Sequence, residues 1–107
     1  MSEIYHLVLP ATWQASPDEP YRAASLETEG FIHCSYAPQV AASANRFYAS
    51  AAELLVLCID PDRLSSPSKA EPAGTGELFP HVYGPINRDA VTSVRTLSRD
   101  DSGRWVF

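Results

Sequence analysis

The chain has 107 residues, of which 45% are hydrophobic and 20% charged, and this is the composition of one globular domain. Its formal net charge is −5, and its eight Lys and Arg residues form no basic cluster. Because phosphate neutralisation supplies most nucleic-acid affinity, this acidic balance argues against a nucleic-acid partner. A small anionic or nucleotide-like ligand is compatible with it, since one or two arginines can hold such a ligand.

Targeting signals and disulfides are not indicated. No apolar run approaches the roughly 18 residues needed to cross a membrane. The N-terminus shows no basic region followed by a long apolar stretch. Cys34 and Cys58 lack CxxC spacing and lie at the ends of apolar segments, which indicates buried, reduced thiols. We therefore expect a cytoplasmic protein without a membrane partner, and we expect it to be a monomer.

The first third of the chain predicts a strand, a loop and a short helix. Residues 4–9 are apolar, β-branched and aromatic, and they predict a strand that carries His6 on the same face as its buried neighbours. Residues 10–20 contain three prolines and predict an ordered loop. Residues 21–29 are compatible with a helical turn or a short helix, which Gly30 would end.

The middle of the chain predicts a strand, a helix and a second strand. Residues 31–35 form a short β-type run in which His33 and Ser35 share one face. Apolar residues then recur at helical spacing, with a proline at the first turn, and predict the main helix over 38–52. The run 54–59 is apolar throughout and predicts a central strand that is buried on both faces.

The last third predicts a loop followed by three strands. Residues 65–76 are rich in Ser, Pro, Ala and Gly and predict a mobile surface loop. Residues 81–83, 90–97 and 104–107 are strand-like. One central helix among strands that are otherwise antiparallel predicts an α+β fold, with residues 1–107 forming a single domain.

The three histidines of the chain each lie in a short apolar, strand-like segment. His6, His33 and His81 are the only ones present, and a histidine in a buried strand needs a hydrogen-bond partner. We predict that they meet in one cleft and act there as catalytic groups. A trio of histidines also invites a zinc interpretation, but no short ligand spacing such as HxH is present. We therefore expect no metal.

Four further interpretations accompany the histidines. Ser35 lies on the His33 face, and Tyr83 on the His81 face, so both are candidates for ligand binding. Arg22 is a candidate partner for a ligand phosphate, although a solvated surface charge is the alternative. Each histidine also has a structural alternative: bonding to the backbone for His6, capping by Ser35 for His33, and core packing for His81.

The run Gly30-Phe31-Ile32-His33-Cys34-Ser35 and the block Phe79-Pro80-His81-Val82-Tyr83-Gly84-Pro85-Ile86 carry a resemblance. Together with Ile4-Tyr5-His6-Leu7 and Ala44-Asn45-Arg46-Phe47-Tyr48, they resemble the small bacterial family numbered nine-five-two among the domains of unknown function.

More distantly, this layout is similar to the ADP-ribosyltransferase superfamily. The resemblance implies a split, mostly antiparallel sheet, a nicotinamide-dinucleotide (NAD) ligand or related ADP-ribosyl compound, and a transferase reaction. It implies that His6 holds the NAD ribose and that His33 stacks on nicotinamide. His81 then falls near the position of the superfamily's catalytic glutamate and handles the proton. With Ser35, Arg22 and Tyr83, which the residues themselves suggest, His6 and His33 complete the predicted cofactor-binding set.

The position of the superfamily's catalytic glutamate is where this chain departs from the pattern. His81 falls near that position and has no adjacent glutamate. The nearest acids in sequence are Glu77 and Glu71, and Asp18, Glu29 or Glu77 can supply a carboxylate only by folding close. The alternative function is therefore a ligand-binding or protein-interaction module that has lost the catalytic glutamate. A third possibility is that the histidines are structural and that the surface serves protein–protein contacts.

Overall fold

The computed structural model describes residues 3–107, which form eight strands and three short α-helices. The strands are β1 (Ile4–Val8), β2 (Ile32–His33), β3 (Leu55–Ile59), β4 (Ser68–Pro72), β5 (Leu78–Val82), β6 (Val91–Thr96), β7 (Ser98–Arg99) and β8 (Trp105–Val106). The helices are α1 (Pro10–Gln14), α2 (Ala24–Thr28) and α3 (Val40–Phe47). Single 3₁₀ turns lie at Ala37–Gln39, Pro61–Arg63 and Arg88–Ala90.

The strands form two antiparallel sheets of three strands and one small hairpin. The first sheet has the order β1-β3-β6, the second has the order β2-β5-β4, and β7 pairs with β8. Tyr5 and Ser35 exchange two backbone hydrogen bonds of 2.8 and 2.7 Å, and these bonds tie β1 of the first sheet to the segment after β2. An α+β protein with mostly antiparallel sheets is thereby confirmed. The ADP-ribosyltransferase-like arrangement of the sheets stays a prediction from the resemblance.

Strand β3, at the centre of the first sheet, corresponds to the buried apolar run predicted over residues 54–59. Four residues of β3, from Val56 to Ile59, are buried. In β1 burial alternates, and His6 points to the same interior as Ile4 and Val8. Two apolar clusters stabilise the fold, one containing Ile32 and Val82 of the second sheet and the other packed under α3. The histidine-bearing strands therefore stand on a rigid core.

The main helix is shorter than the predicted range of 38–52. It ends at Phe47, because the following backbone carbonyls are bonded by side chains from the C-terminal hairpin. The indole of Trp105 donates to the Tyr48 carbonyl at 2.8 Å, and Arg99 donates to two carbonyls in the same turn. Such tertiary bonds override the helical spacing of the sequence. Within residues 3–107 no helix is long and apolar enough to cross a membrane.

Two predicted loops contain regular structure. The prediction of a loop over 65–76 is wrong for Ser68–Pro72, which forms β4 and pairs in register with β5. Its sequence has weak strand propensity, and its pairing comes from the neighbouring strand rather than from its own residues. The prediction of a loop over 10–20 is wrong for Pro10–Gln14, a single helical turn that begins at a proline, where helices readily start.

Candidate active site

All three histidines border one open cleft of about 1290 Å³. Apolar side chains make up about half of the residues that line it, and polar or charged side chains make up the rest. The second sheet supplies His33 and His81 to this cleft, and β1 supplies His6. Ser35 also lines the cleft and is buried, with its backbone bonded to Tyr5.

His33 and His81 are cross-strand neighbours. They lie directly opposite each other in the β2–β5 pair, so their side chains emerge on the same face of the second sheet. Their ring centroids are 5.5 Å apart, and the rings are nearly perpendicular. Strand pairing alone therefore brings two of the three predicted catalytic groups together.

His81 forms a hydrogen-bonded dyad with Glu71 of β4. Its Nδ1 lies 2.8 Å from Glu71 Oε1. In the β4–β5 register His81 faces Lys69, so Glu71 is the diagonal neighbour two residues on, which is within reach of a long side chain. An ionised carboxylate only accepts hydrogen bonds, so Nδ1 carries the proton and Nε2 is left for the cleft. This is the arrangement by which a carboxylate orients a histidine for proton transfer.

Tyr83 and Phe31 hold this dyad in place. The Tyr83 hydroxyl donates to Glu71 Oε1, and this bond, followed by the one from His81, lowers the pKa of Glu71. The carboxylate in turn raises the pKa of the Tyr83 phenol. Phe31 stacks on the His81 ring at a centroid distance of 4.0 Å and an angle of 18°. Tyr83 therefore acts on the site through its hydrogen bond to Glu71.

His33 forms a second pair, with Glu29, that is more open to solvent. Its Nε2 lies 2.8 Å from Glu29 Oε2, and the two side chains are 53% and 50% exposed. Glu29 follows helix α2, and Gly30 adopts a positive φ of 89°, which ends the helix and turns the chain into β2. This turn brings the Glu29 carboxylate next to His33, which is four residues further along the chain. Sequence analysis named Glu29 among the acids that folding can bring close.

His6 is locked between two protein partners. Its Nδ1 lies 2.6 Å from the His33 carbonyl, and its Nε2 lies 2.8 Å from the Tyr21 hydroxyl. Because a carbonyl only accepts, Nδ1 is the protonated nitrogen and Nε2 accepts from tyrosine. Burial lowers the pKa of His6 to about 4, so the ring is neutral near pH 7. Both nitrogens are occupied, and the implied hydrogen bond from His6 to a ribose does not fit this arrangement.

Arg22 is not part of the cleft. It lines a separate pocket of about 200 Å³, together with Arg88 and the turn after α1. The structure thus places Arg22 outside the histidine cleft, and its partnership with a ligand phosphate stays a prediction. The chain supplies Arg46 to the cleft instead, from the last turn of α3.

No group of three or more His, Cys, Asp or Glu side chains within residues 3–107 is arranged to hold a metal ion. Cys34 is buried, and burial raises the pKa of its thiol to about 12, which makes it a poor nucleophile. The cleft does contain two histidines bonded to carboxylates, and this pairing is suited to proton transfer.

Comparison with known proteins identifies the family. Residues 7–94 match the family described as "Protein of unknown function (DUF952)". The chain belongs to this family. No curated protein matches the DUF952 chain. Its fold is similar to the crystal structure of protein CC0527 from Caulobacter crescentus, with a TM-score of 0.87 and 28% identity over 98% of this chain and 94% of the other. The solution structure of CC0527 matches with a TM-score of 0.79 and 30% identity over 97% and 91% of the two chains.

From the sequence of this DUF952 protein alone, Glu71 is only an acid upstream of His81, because residues 65–76 predict a loop and a loop has no strand register. The pairing of Ser68–Pro72 with β5 is what makes Glu71 the diagonal neighbour of His81.

Proposed function

We propose that the cleft is the active site of a small acid–base enzyme in which His81 transfers a proton on a nucleotide-like ligand. The observation that carries this proposal is the His81–Glu71 dyad, with Nδ1 held by the carboxylate and Nε2 left for the cleft. Glu71 fixes the tautomer and stabilises the imidazolium that forms when Nε2 accepts a proton. The stack of Phe31 on the imidazole fixes the ring plane.

The ligand class we propose is NAD or a related ADP-ribosyl compound, as the resemblance implies. Two features of the cleft support this choice. Glu29, which bonds to His33, and Glu77 both line the cleft and give it negative charge, which suits the positively charged pyridinium ring of NAD. The cleft volume of about 1290 Å³ is sufficient for a ligand of dinucleotide size.

The reaction we propose is displacement at the ribose. An acceptor hydroxyl, from water or a second substrate, forms a bond to the anomeric carbon of the ribose. The bond from that carbon to the nicotinamide nitrogen breaks, and its electron pair stays with nicotinamide. The acceptor proton passes to Nε2 of His81 and then to solvent. Carboxylates near the ribose would stabilise the cationic character that the anomeric carbon gains as the bond breaks.

The test is nicotinamide release from NAD, followed by chromatography. We expect His81→Gln to lower the rate about 10²-fold or more, because a positioned general base contributes about that factor. Glu71→Gln should lower it at least about tenfold, since an amide no longer stabilises the imidazolium. Glu27→Gln is the matched control: this glutamate is exposed on α2, does not line the cleft, and should leave the rate unchanged.

The alternative function is a binding module without turnover. It would show ligand-induced changes at His81 and His33 in the NMR spectrum of the wild-type protein, together with no nicotinamide release at any pH. Absence of both binding and release with NAD, ADP-ribose and nucleoside phosphates would overturn the proposed ligand class.

A further inference from the structure

Phe47 is an exposed aromatic residue at the edge of the cleft. It ends helix α3, its side chain lines the same cleft as His81, and 68% of its surface is exposed, the largest fraction among the exposed large hydrophobic residues of the described chain. An exposed aromatic ring at the edge of a cleft offers a flat apolar surface on which a planar ligand group can stack. This ring is therefore a candidate contact for a ligand.

Arg46 lies beside it and is the one Lys or Arg that lines the cleft within residues 3–107. Its guanidinium carbon is 5.1 Å from the Phe47 ring centroid. The ion pairs of the described residues join other groups, and none involves Arg46. An unpaired guanidinium in a cleft that otherwise carries carboxylates is suited to a phosphate, which it binds through two parallel hydrogen bonds.

This pair lies at the C-terminal end of α3, whereas the three histidines lie on strands β1, β2 and β5. Gln39, just before the helix, donates to the carbonyl of Leu78 at 2.8 Å, on the strand that carries His81. From Gln39 to Phe47 the helical rise is roughly 12 Å. The pair therefore lies roughly 12 Å along the helix from the point at which Gln39 contacts β5.

We infer that Arg46 and Phe47 form a nucleoside-monophosphate subsite, in which Arg46 binds the phosphate and Phe47 stacks on the base. This inference deepens the proposed function and rests on it for the identity of the ligand's other half. It concerns binding alone, so it can be tested in the absence of any turnover.

The experiment measures the affinities of AMP, adenosine and ribose 5-phosphate by calorimetry, for the wild type and for Arg46→Gln and Phe47→Ala. Arg46→Gln should weaken AMP and ribose 5-phosphate about tenfold, as expected for loss of a charge-assisted pair, and should leave adenosine unchanged. Phe47→Ala should weaken AMP and adenosine about fivefold or more through lost stacking, and should leave ribose 5-phosphate unchanged. Arg104→Gln, at an exposed arginine outside the cleft, is the control and should change none of them.

Amide NMR of the wild-type protein provides a test that no variant can compromise. AMP should shift the amides at the end of α3 around Arg46 and Phe47. Absence of these shifts at millimolar AMP would overturn the subsite, and so would equal losses for all three ligands in either variant. AMP binding with the expected pattern and no nicotinamide release would uphold the subsite and count against the proposed reaction.

Discussion

Acid should destabilise this protein through His6, because the ring is buried in its neutral form. The imidazole is 7% exposed, with both nitrogens bonded, and burial lowers its pKa from 6.5 to about 4. Unfolded chains take up a proton at His6 near pH 6.5, whereas folded chains do so only near pH 4. The free energy of unfolding therefore keeps the full contribution of neutral, buried His6 above pH 6.5. It loses this contribution as the pH falls from 6.5 towards 4.

The pKa difference sets the size of the effect. A change from 6.5 to about 4 corresponds to about 3 kcal/mol in total, of which about 2 kcal/mol is lost between pH 7 and pH 4.5. Other groups also titrate in this range, so the quantity to measure is the difference between wild type and a variant without the ring. His6→Asn keeps an amide donor for the His33 carbonyl and removes the titrating group.

Urea unfolding at a series of pH values measures this difference. The free energy of unfolding of wild type minus that of His6→Asn should fall by about 2 kcal/mol from pH 7 to pH 4.5. The same substitution at exposed His33 should leave the loss due to His6 in place. A constant difference between wild type and His6→Asn across the pH range would refute the reasoning, as would a ring NMR titration showing that His6 is protonated at pH 6.

Three further substitutions test local packing. Tyr21→Phe should cost about 1–3 kcal/mol of unfolding free energy in urea, because it leaves the Nε2 of buried His6 without its 2.8 Å donor; no change would argue that water replaces the hydroxyl. Gly84→Ala should destabilise the protein by about 1–3 kcal/mol in thermal unfolding, because the new Cβ would lie 2.3 Å from Ser66 Oγ. Adding Ser66→Gly to this variant should restore part of the loss. Equal stability of Gly84→Ala and the wild type would contradict that contact. Asn45→Ala should lower the free energy of unfolding by about 2 kcal/mol and accelerate amide exchange in β8, because the Asn45 side chain makes hydrogen bonds of 2.7 and 3.0 Å to the backbone of that strand. Unchanged exchange would show that these bonds contribute nothing.

The sequence predicts those parts of the fold in which local pattern and tertiary packing agree. Strand β1, the buried strand β3 and the start of α3 follow from alternation, an unbroken apolar run and helical spacing. The location of three histidines at one cleft followed from a physical argument, since polar rings in apolar strands need partners. His33 and His81 share a face because they are opposite each other in paired strands.

The remainder could not be predicted because it depends on register between distant segments. Ser68–Pro72 has weak strand propensity and becomes a strand only by pairing with β5, so the partner of His81 stayed unassigned. The role of His6 also depends on tertiary structure, because Tyr21 and the His33 carbonyl occupy its two nitrogens only after β1, β2 and the segment before α2 have met. The position of Arg22 in a pocket apart from the histidines depends on tertiary structure in the same way.

We propose that His81, oriented by Glu71, offers Nε2 to a nucleotide-like ligand, whereas both ring nitrogens of His6 are bonded within the fold. The most direct measurement is long-range ¹⁵N NMR of the three histidine rings during a titration with NAD and ADP-ribose. The account predicts that free His81 carries its proton on Nδ1, that the Nε2 signal of His81 moves on ligand addition, and that the two nitrogens of His6 do not move. A His81 ring protonated on Nε2 alone, or ligand-induced changes confined to His6, would contradict it.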